Sequence, residues 1–207
     1  MTVALFDLGV AATTFAVIFP SELPDKTLVA TLVLAARFKP RPVWVGVAAA
    51  FFVQCLVAVT FGGLLSLLPR RPVLVVVAAL FGFGAVLLFR GASHAATDVA
   101  DEEREITAVA AARGSRRVVL TSFLVLFAAE WGDLSQLVTA GLVARYSSPV
   151  SVFVGSWAAL CLVAAIAVLV GNQLARRLPF ALIRRLAGSL FAVLAVVTLV
   201  EAVRSTS

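Results

Sequence analysis

Two short acidic stretches lie inside long apolar runs of this 207-residue chain. The first reads Glu-Leu-Pro-Asp-Lys-Thr from Glu22 to Thr27, and the second reads Glu-Trp-Gly-Asp-Leu-Ser-Gln from Glu130 to Gln136. A charged side chain at the centre of a membrane helix costs about 2.5–3.5 kcal/mol on insertion scales. Four carboxylates at such depth therefore indicate a functional site, and we expect the rest of the chain to bring the two stretches together.

The composition is that of a helical membrane protein. Hydrophobic residues make up 62% of the chain and charged residues 14%, whereas a soluble domain is usually about 45–50% apolar. The apolar runs are continuous and long enough for membrane helices, unlike the alternating segments of about ten residues in a transmembrane barrel. The net charge of +6 comes from basic residues in short loops, so it sets membrane topology and does not indicate a nucleic-acid partner.

The apolar runs predict an all-α membrane protein with six transmembrane helices arranged as two inverted three-helix repeats. The first helix, about residues 3 to 38, is expected to bend or unwind at its motif, since Pro20 and Pro24 interrupt it, and to end at Pro40 and Pro42. The fourth helix, about residues 118 to 144, is expected to carry the second motif. Arg37 follows Glu22 at the same interval as Arg145 follows Glu130, which indicates duplication. An odd number of helices per unit inverts the second unit. The predicted units are residues 1–89 and 118–207, joined by a polar loop over residues 90–117.

The distribution of basic residues predicts the orientation. Twelve of the 17 lysines and arginines lie on one side of the predicted helices, four lie on the other, and Lys26 lies within the membrane. Basic loops remain cytoplasmic. We therefore expect a multi-pass protein of the cytoplasmic membrane, with both termini outside and the polar loop in the cytoplasm.

The carboxylates predict a cation site. Within each motif the two acids are three residues apart, so on a continuous helix they would share a face. Inverted repeats place equivalent residues near the membrane midplane, where a divalent cation and protons would compete for the same oxygens. Oxygen ligands suit Ca²⁺, Mg²⁺ or Mn²⁺. Gln54 is an expected supporting residue. The candidate ligands are Glu22, Asp25, Glu130 and Asp133, with neutral oxygens from Thr27, Ser135 and Gln136 and further hydroxyls on Thr31 and Thr139.

Three other interpretations remain open at this stage. The acids could form interhelical salt bridges, although Lys26 is the one lysine available to four acids. An intramembrane enzyme would use the carboxylates for acid–base work. No nucleophile and base are paired for this, since the single histidine, His94, lies in the predicted loop, so the enzyme alternative is a metal-dependent one. A structural membrane subunit would tolerate Asn and Gln in place of the carboxylates.

The doubled motif resembles the paired E-x-G-D-[KR]-[ST] motifs of uncharacterised protein family 0016, the Gdt-one-like cation transporters. The resemblance covers nearly the whole chain, with two three-helix halves and an acidic central loop. Two residues depart from the pattern, since Pro24 replaces a glycine and Leu134 replaces a basic residue. Leu134 makes the paired motifs more acidic, so ion preference or proton stoichiometry is expected to differ from the family norm.

The resemblance implies a transporter and no enzyme, with no resident cofactor. It implies transport of Mn²⁺ or Ca²⁺ in exchange for protons, and manganese export in bacterial members. The expected partners are the cation, protons and the lipid bilayer, with self-association into a homo-oligomer left open. A Ca²⁺/H⁺ exchanger and an exporter of another cationic solute, such as a cationic amino acid, are the alternatives.

Overall fold

The regular structure of the described residues is entirely helical. A computed structural model describes residues 6–23, 26–91, 115–175 and 180–204. We number the eight helices in these ranges in chain order. They are α1 (Leu8–Glu22), α2 (Lys26–Arg37), α3 (Pro40–Leu65), α4 (Arg70–Gly91), α5 (Ser115–Ala129), α6 (Leu134–Tyr146), α7 (Pro149–Ala175) and α8 (Phe180–Arg204).

Four of these helices, α3, α4, α7 and α8, are long and apolar enough to cross a membrane. A fifth span results if α5 and α6, which meet at a bend of 73°, count as one broken helix. Many large apolar side chains of α3 and α8 are exposed, including Phe61 and Val196, as expected of surfaces that face lipid. The protein is a multi-pass helical membrane protein.

Two expectations about helix boundaries were wrong. The fourth predicted helix is not continuous, because the second motif separates α5 from α6. Pro40 and Pro42 were assigned to the end of the first helix, but both lie in the first turn of α3. Proline is favoured in that turn because its missing N–H has no helical partner there. Most of the predicted polar loop over residues 90–117 lies outside the described residues, which extend to Gly91 at the end of α4 and begin again at Ser115 in α5.

Helices α3 and α7 pack against each other at the centre of the fold. Trp44 of α3 donates a hydrogen bond to the Cys161 carbonyl at 3.1 Å, and Trp157 of α7 donates one to the Ala48 carbonyl at 3.0 Å. Each central helix also packs on a broken pair: α3 contacts α5 and α6, and α7 contacts α1 and α2. Helices α4 and α8 pack together, with Phe81 and Phe191 in an edge-to-face contact 6.0 Å apart.

Candidate cation site

The first motif lies at a break between two helices. Helix α1 ends at Glu22, whose side chain is 1% exposed, and α2 begins at Lys26. The hydroxyl of Thr27 donates a hydrogen bond of 2.9 Å to Glu22 Oε2. The break therefore holds a buried carboxylate and a buried hydroxyl in direct contact. Pro24 and the candidate ligand Asp25 lie outside the described residues.

The second motif forms a sharper break. Helix α5 ends at Ala129, directly before Glu130, whose side chain is 2% exposed. Gly132 has a positive φ of 78°, which glycine adopts without the steric cost of a Cβ atom. Asp133 then forms the N-cap of α6 and accepts hydrogen bonds from the Ser135 N–H at 3.1 Å and the Ser135 hydroxyl at 3.3 Å.

The break corrects one step of the sequence argument. Glu130 and Asp133 were expected to share the face of one helix, but the first follows the end of α5 and the second caps α6. A carboxylate at an N-cap accepts hydrogen bonds from backbone N–H groups that have no helical partner. Asp133 therefore both starts α6 and places its oxygens at the break.

Gln136 supports the backbone of the same break. Its Nε2 donates a hydrogen bond of 2.9 Å to the Glu130 carbonyl, and its Oε1 accepts one of 3.3 Å from the Gly132 N–H. The amide thereby links α6 to the residues that connect it with α5. This bracing role was not anticipated from the sequence, which suggested Gln136 only as a source of a neutral oxygen.

Helix α3 holds both halves of the second broken pair. Its Gln54 donates to the carbonyls of Leu126 and Phe127 near the end of α5, at 3.4 and 3.2 Å. A Cβ added to Gly46 would lie 2.3 Å from a backbone oxygen of α5, and one added to Gly62 would lie 2.5 Å from a backbone oxygen of α6. Small residues permit such close approach of membrane helices, so α3 fixes the position of the second motif.

The buried hydroxyls of α2 and α6 differ in their partners. Thr139 of α6 lies 3.1 Å from the hydroxyl of Ser156 on α7. Thr31 of α2 is equally buried, but its hydroxyl has no hydrogen-bond partner among the described residues.

The half-helices of the two breaks are neighbours. Helix α1, which ends at Glu22, contacts α6, and α2 contacts α5, which leads to Glu130. Within the described ranges no three His, Cys, Asp or Glu side chains are grouped closely enough to hold a metal ion. The structure thus brings Glu22 together with Thr27 and Asp133 together with Ser135, and it brings the helices that carry the two motifs into contact.

Sequence reasoning missed an ion pair at the end of α6 that is remote from the second motif. Arg145, at the end of α6, is 3.2 Å from Glu201 of α8 and also donates to the Thr198 hydroxyl. From the sequence, Arg145 served as a marker of the duplication and as one of the basic residues that set topology. No local signal identifies its partner, because Glu201 is distant in the chain.

Two close helix crossings were also missed, although the duplicated pattern contains them. A Cβ at Gly46 would lie 2.9 Å from Ser122 Cβ, and one at Gly155 would lie 2.9 Å from Thr14 Cβ. Thr14 precedes Glu22 by the same interval as Ser122 precedes Glu130. Extending the comparison of the two halves from the motifs to the small residues would have indicated these crossings.

Comparison with known proteins identifies the family. The family model described as divalent cation/proton antiporter GDT1 matches residues 10–96 and 118–206, which include both motifs. The chain belongs to the GDT1 family. This GDT1 protein is therefore a divalent cation/proton antiporter, a transporter rather than an enzyme, and its substrates are a divalent cation and protons.

Named relatives agree with the assignment of this GDT1 protein. A GDT1-like protein of Synechocystis is 33% identical over 188 residues, covering 86% of this chain and 90% of the relative. The chloroplastic GDT1-like protein 1 of rice is 33% identical over 223 residues, and the match covers 96% of this chain and 65% of the rice protein. A Vibrio cholerae protein named "Putative manganese exporter" is 30% identical over 196 residues, covering 92% and 89% of the two chains. No solved structure matches the chain.

Proposed function

We propose that this GDT1 protein exports Mn²⁺ across the cytoplasmic membrane in exchange for protons. The observation that carries the proposal is a buried motif carboxylate at each of two helix breaks, Glu22 at the first and Glu130 at the second. The manganese named for the Vibrio cholerae relative supports the choice of ion. Hard oxygen ligands suit Mn²⁺.

The proposed ligands come from both breaks. Carboxylates at the interrupted helices supply negative charge, and backbone carbonyls freed by the interruptions are suitable additional oxygens, as in other transporters. Thr27 and Ser135 already touch motif carboxylates through their hydroxyls, so they lie where a bound cation would be held. The proposed set is Glu22, Asp25, Glu130 and Asp133, assisted by Thr27, Ser135 and Gln136.

Exchange follows from the competition of the two substrates for one set of oxygens. Four carboxylates in a site of low dielectric repel one another unless a cation or protons neutralise them. Protons that arrive from outside displace Mn²⁺, and Mn²⁺ that arrives from the cytoplasm displaces protons. The empty, fully ionised site is disfavoured, which couples the two movements in opposite directions.

The proposed architecture is six transmembrane helices in two inverted repeats, residues 1–89 and 118–207, with a cytoplasmic loop over 90–117. Reciprocal packing supports this proposal. Helix α3 packs on the broken pair of the other half, and α7 packs on the broken pair of the first half. Gly46 and Gly155 make the corresponding close approaches. Both termini are placed outside on the basis of the basic loops, and the halves rock about the site to alternate access.

Metal flux in proteoliposomes that contain the purified full chain tests the proposal. Mn²⁺ and Ca²⁺ are supplied in separate experiments, and internal pH is recorded with each. We expect Mn²⁺ movement with opposing proton movement, and loss of both in Asp133→Asn, which removes a charge while keeping size and one carbonyl oxygen. Thr60→Val is a matched control, because Thr60 is exposed and its hydroxyl is bonded to the Leu56 carbonyl of its own helix at 2.7 Å.

The outcomes separate the alternatives. Ca²⁺ flux without Mn²⁺ flux would reassign the substrate while keeping the exchange mechanism. Metal flux without a pH change would refute proton exchange. Full transport by Asp133→Asn and by the equivalent Asn or Gln variants of the other three acids would refute the carboxylate site and favour a structural role for these residues.

A further inference from the structure

The hydroxyl of Thr31 is unusual for a helical residue because it is buried without a hydrogen-bond partner in the described part of the chain. Its side chain is fully buried, and its Oγ1 has no hydrogen-bond partner among the described residues. Hydroxyls elsewhere in the fold donate to a carbonyl four residues earlier in their own helix, as Thr60 does at 2.7 Å and Ser189 at 2.9 Å. Thr31 does not use this option. A buried hydroxyl without a partner is destabilising, so its presence calls for a functional reason.

Two other buried hydroxyls without partners, those of Thr14 and Ser122, have a packing explanation. Each lies at a close helix crossing, Thr14 against Gly155 and Ser122 against Gly46. Small side chains are needed at such crossings. None of the close approaches described for Gly46, Gly62, Gly84 and Gly155 involves Thr31, so packing against these glycines does not account for its hydroxyl.

The position of Thr31 relates it to the first motif. It follows Thr27 by one helical turn and therefore lies on the same face of α2, and Thr27 contacts Glu22. The adjoining face carries Leu28 and Leu32, which pack in an apolar cluster with residues of α7. The hydroxyl face is thus distinct from the apolar face, and it continues away from the carboxylate end of α2.

The hydroxyls of Thr27 and Thr31 are too far apart along α2 to bind the same ion at the same time. One helical turn advances about 6 Å. Oxygens bound to one divalent cation at about 2.1–2.5 Å cannot be more than about 5 Å apart. A cation held by Glu22 and Thr27 would therefore reach Thr31 only after moving along α2.

The corresponding hydroxyl on α6 is already engaged. Thr139 stands one turn after Ser135, as Thr31 stands one turn after Thr27, and it is paired with Ser156 of α7. Ser156 follows Gly155 as Val47 follows Gly46 in α3. Val47, the residue of the first half that corresponds to Ser156, has no hydroxyl to pair with Thr31. Thr31 therefore remains available for a different partner.

We propose that Thr31 is a transit ligand for the divalent cation, one helical turn from the carboxylate site. Its hydroxyl oxygen replaces a water of the partly hydrated ion as the ion moves along α2 between the site and one membrane surface. Full burial of Thr31 means that this path is closed in the described conformation. The inference rests on the proposed function, because it assumes a cation site at Glu22.

The test compares Thr31→Val and Thr31→Ser with the wild type in proteoliposomes that contain the full chain. Initial rates of Mn²⁺/H⁺ exchange are measured over a range of Mn²⁺ concentrations, and the thermal midpoint of each protein is measured in detergent. Loss of a transit oxygen raises the barrier to movement and leaves the site itself intact. For Thr31→Val we expect the maximal rate to fall about tenfold, with an unchanged half-saturating concentration and a thermal midpoint no lower than that of the wild type. Thr31→Ser should restore the rate.

Two control variants show whether the effect of Thr31→Val is specific to transport. Thr60→Val should leave both the rate and the thermal midpoint unchanged, since Thr60 is exposed on α3. Thr139→Val should lower the thermal midpoint, because it leaves the buried Ser156 hydroxyl without its partner. The opposite responses of Thr31 and Thr139 to the same substitution distinguish a functional hydroxyl from a structural one.

Several results would overturn the transit role. An unchanged maximal rate in Thr31→Val would do so, as would a lower rate accompanied by a lower thermal midpoint. A raised half-saturating concentration with an unchanged maximal rate would instead place Thr31 in the binding site itself. Asp133→Asn in the same vesicles reports on the proposed function. Loss of transport there with a normal Thr31→Val rate refutes the transit role alone, whereas full transport in Asp133→Asn and in the Asn or Gln variants of the other three acids refutes the carboxylate site and the transit role with it.

Discussion

The close crossing of α3 and α5 at Gly46 predicts that a larger residue there lowers the stability of the protein. Replacement of Gly46 by Ala would place a Cβ atom 2.3 Å from the Val119 carbonyl oxygen and 2.9 Å from Ser122 Cβ. Ordinary van der Waals contact begins near 3.4 Å, so the two helices must move apart by about 1 Å. The first obstacle is backbone, which cannot rotate away as a flexible side chain can.

The expected cost follows from two opposing terms. Overpacking of this kind costs about 1–3 kcal/mol, while Gly→Ala within a helix contributes up to about 1 kcal/mol of stability. Subtracting the second term from the first leaves a net destabilisation of Gly46→Ala of about 0–2 kcal/mol, or up to roughly 8 °C in the thermal midpoint at about 2–4 °C per kcal/mol. Gly63→Ala is the matched control, because a Cβ there meets nothing within 4 Å and only the favourable helical term remains.

Thermal unfolding in detergent and Mn²⁺ flux in proteoliposomes measure the two consequences. Gly46→Ala should unfold at a lower temperature than Gly63→Ala and should transport more slowly, because α5 leads directly to Glu130. Equal midpoints and equal rates for the two variants would refute the argument that the α3–α5 crossing positions the second motif.

Three further predictions follow, two on the second break and one on the ion pair at the other end of α6. Gly132→Ala should lower stability by about 1–2 kcal/mol, since a Cβ is disfavoured at positive φ, and Gly132→Asn should lower it less; thermal midpoints of the two variants check this order. Gln136→Leu should reduce Mn²⁺ flux without loss of membrane insertion, because the hydrogen bonds to Glu130 and Gly132 disappear; normal flux would show that the brace is dispensable. Glu201→Gln should lower the free energy of unfolding by about 2 kcal/mol. Breaking a fully buried ion pair costs about 3–5 kcal/mol, and the expected loss is smaller here because Glu201 is 32% exposed. Combining Arg145→Met with Glu201→Leu should recover most of that stability, and a double variant no more stable than Glu201→Gln would contradict a cost that arises from an unpaired buried charge.

Much of the helical framework was predictable from local sequence. Long apolar runs located α3, α4, α7 and α8, since a run of that length forms its backbone hydrogen bonds internally when water is absent. The prolines of the first motif predicted an interruption there, whereas the fourth helix was wrongly expected to continue through the second motif. Gly132 takes a positive φ and Asp133 caps a new helix, so α5 ends and α6 begins as a separate helix at the bend.

The ligands of the candidate site were only partly predictable. Residue type and spacing identified Glu22, Glu130 and Asp133 as acids within apolar runs. Their surroundings were not predictable, because Thr27 and Ser135 could have bonded to backbone, as Thr60 does. The amide of Gln136 likewise had two plausible uses, as a ligand and as a brace, and local sequence cannot choose between them.

Local sequence is enough to establish a helical membrane protein with two acidic motifs, because apolar length and the cost of buried charge are local properties. How the motifs are held depends on contacts between helices. Gln54 reaches the carbonyls of α5, Arg145 pairs with Glu201, and Thr139 rather than Thr31 finds a hydroxyl partner. Each of these contacts joins residues on different helices, and it depends on which helix faces pack together and on how closely glycines allow the backbones to approach.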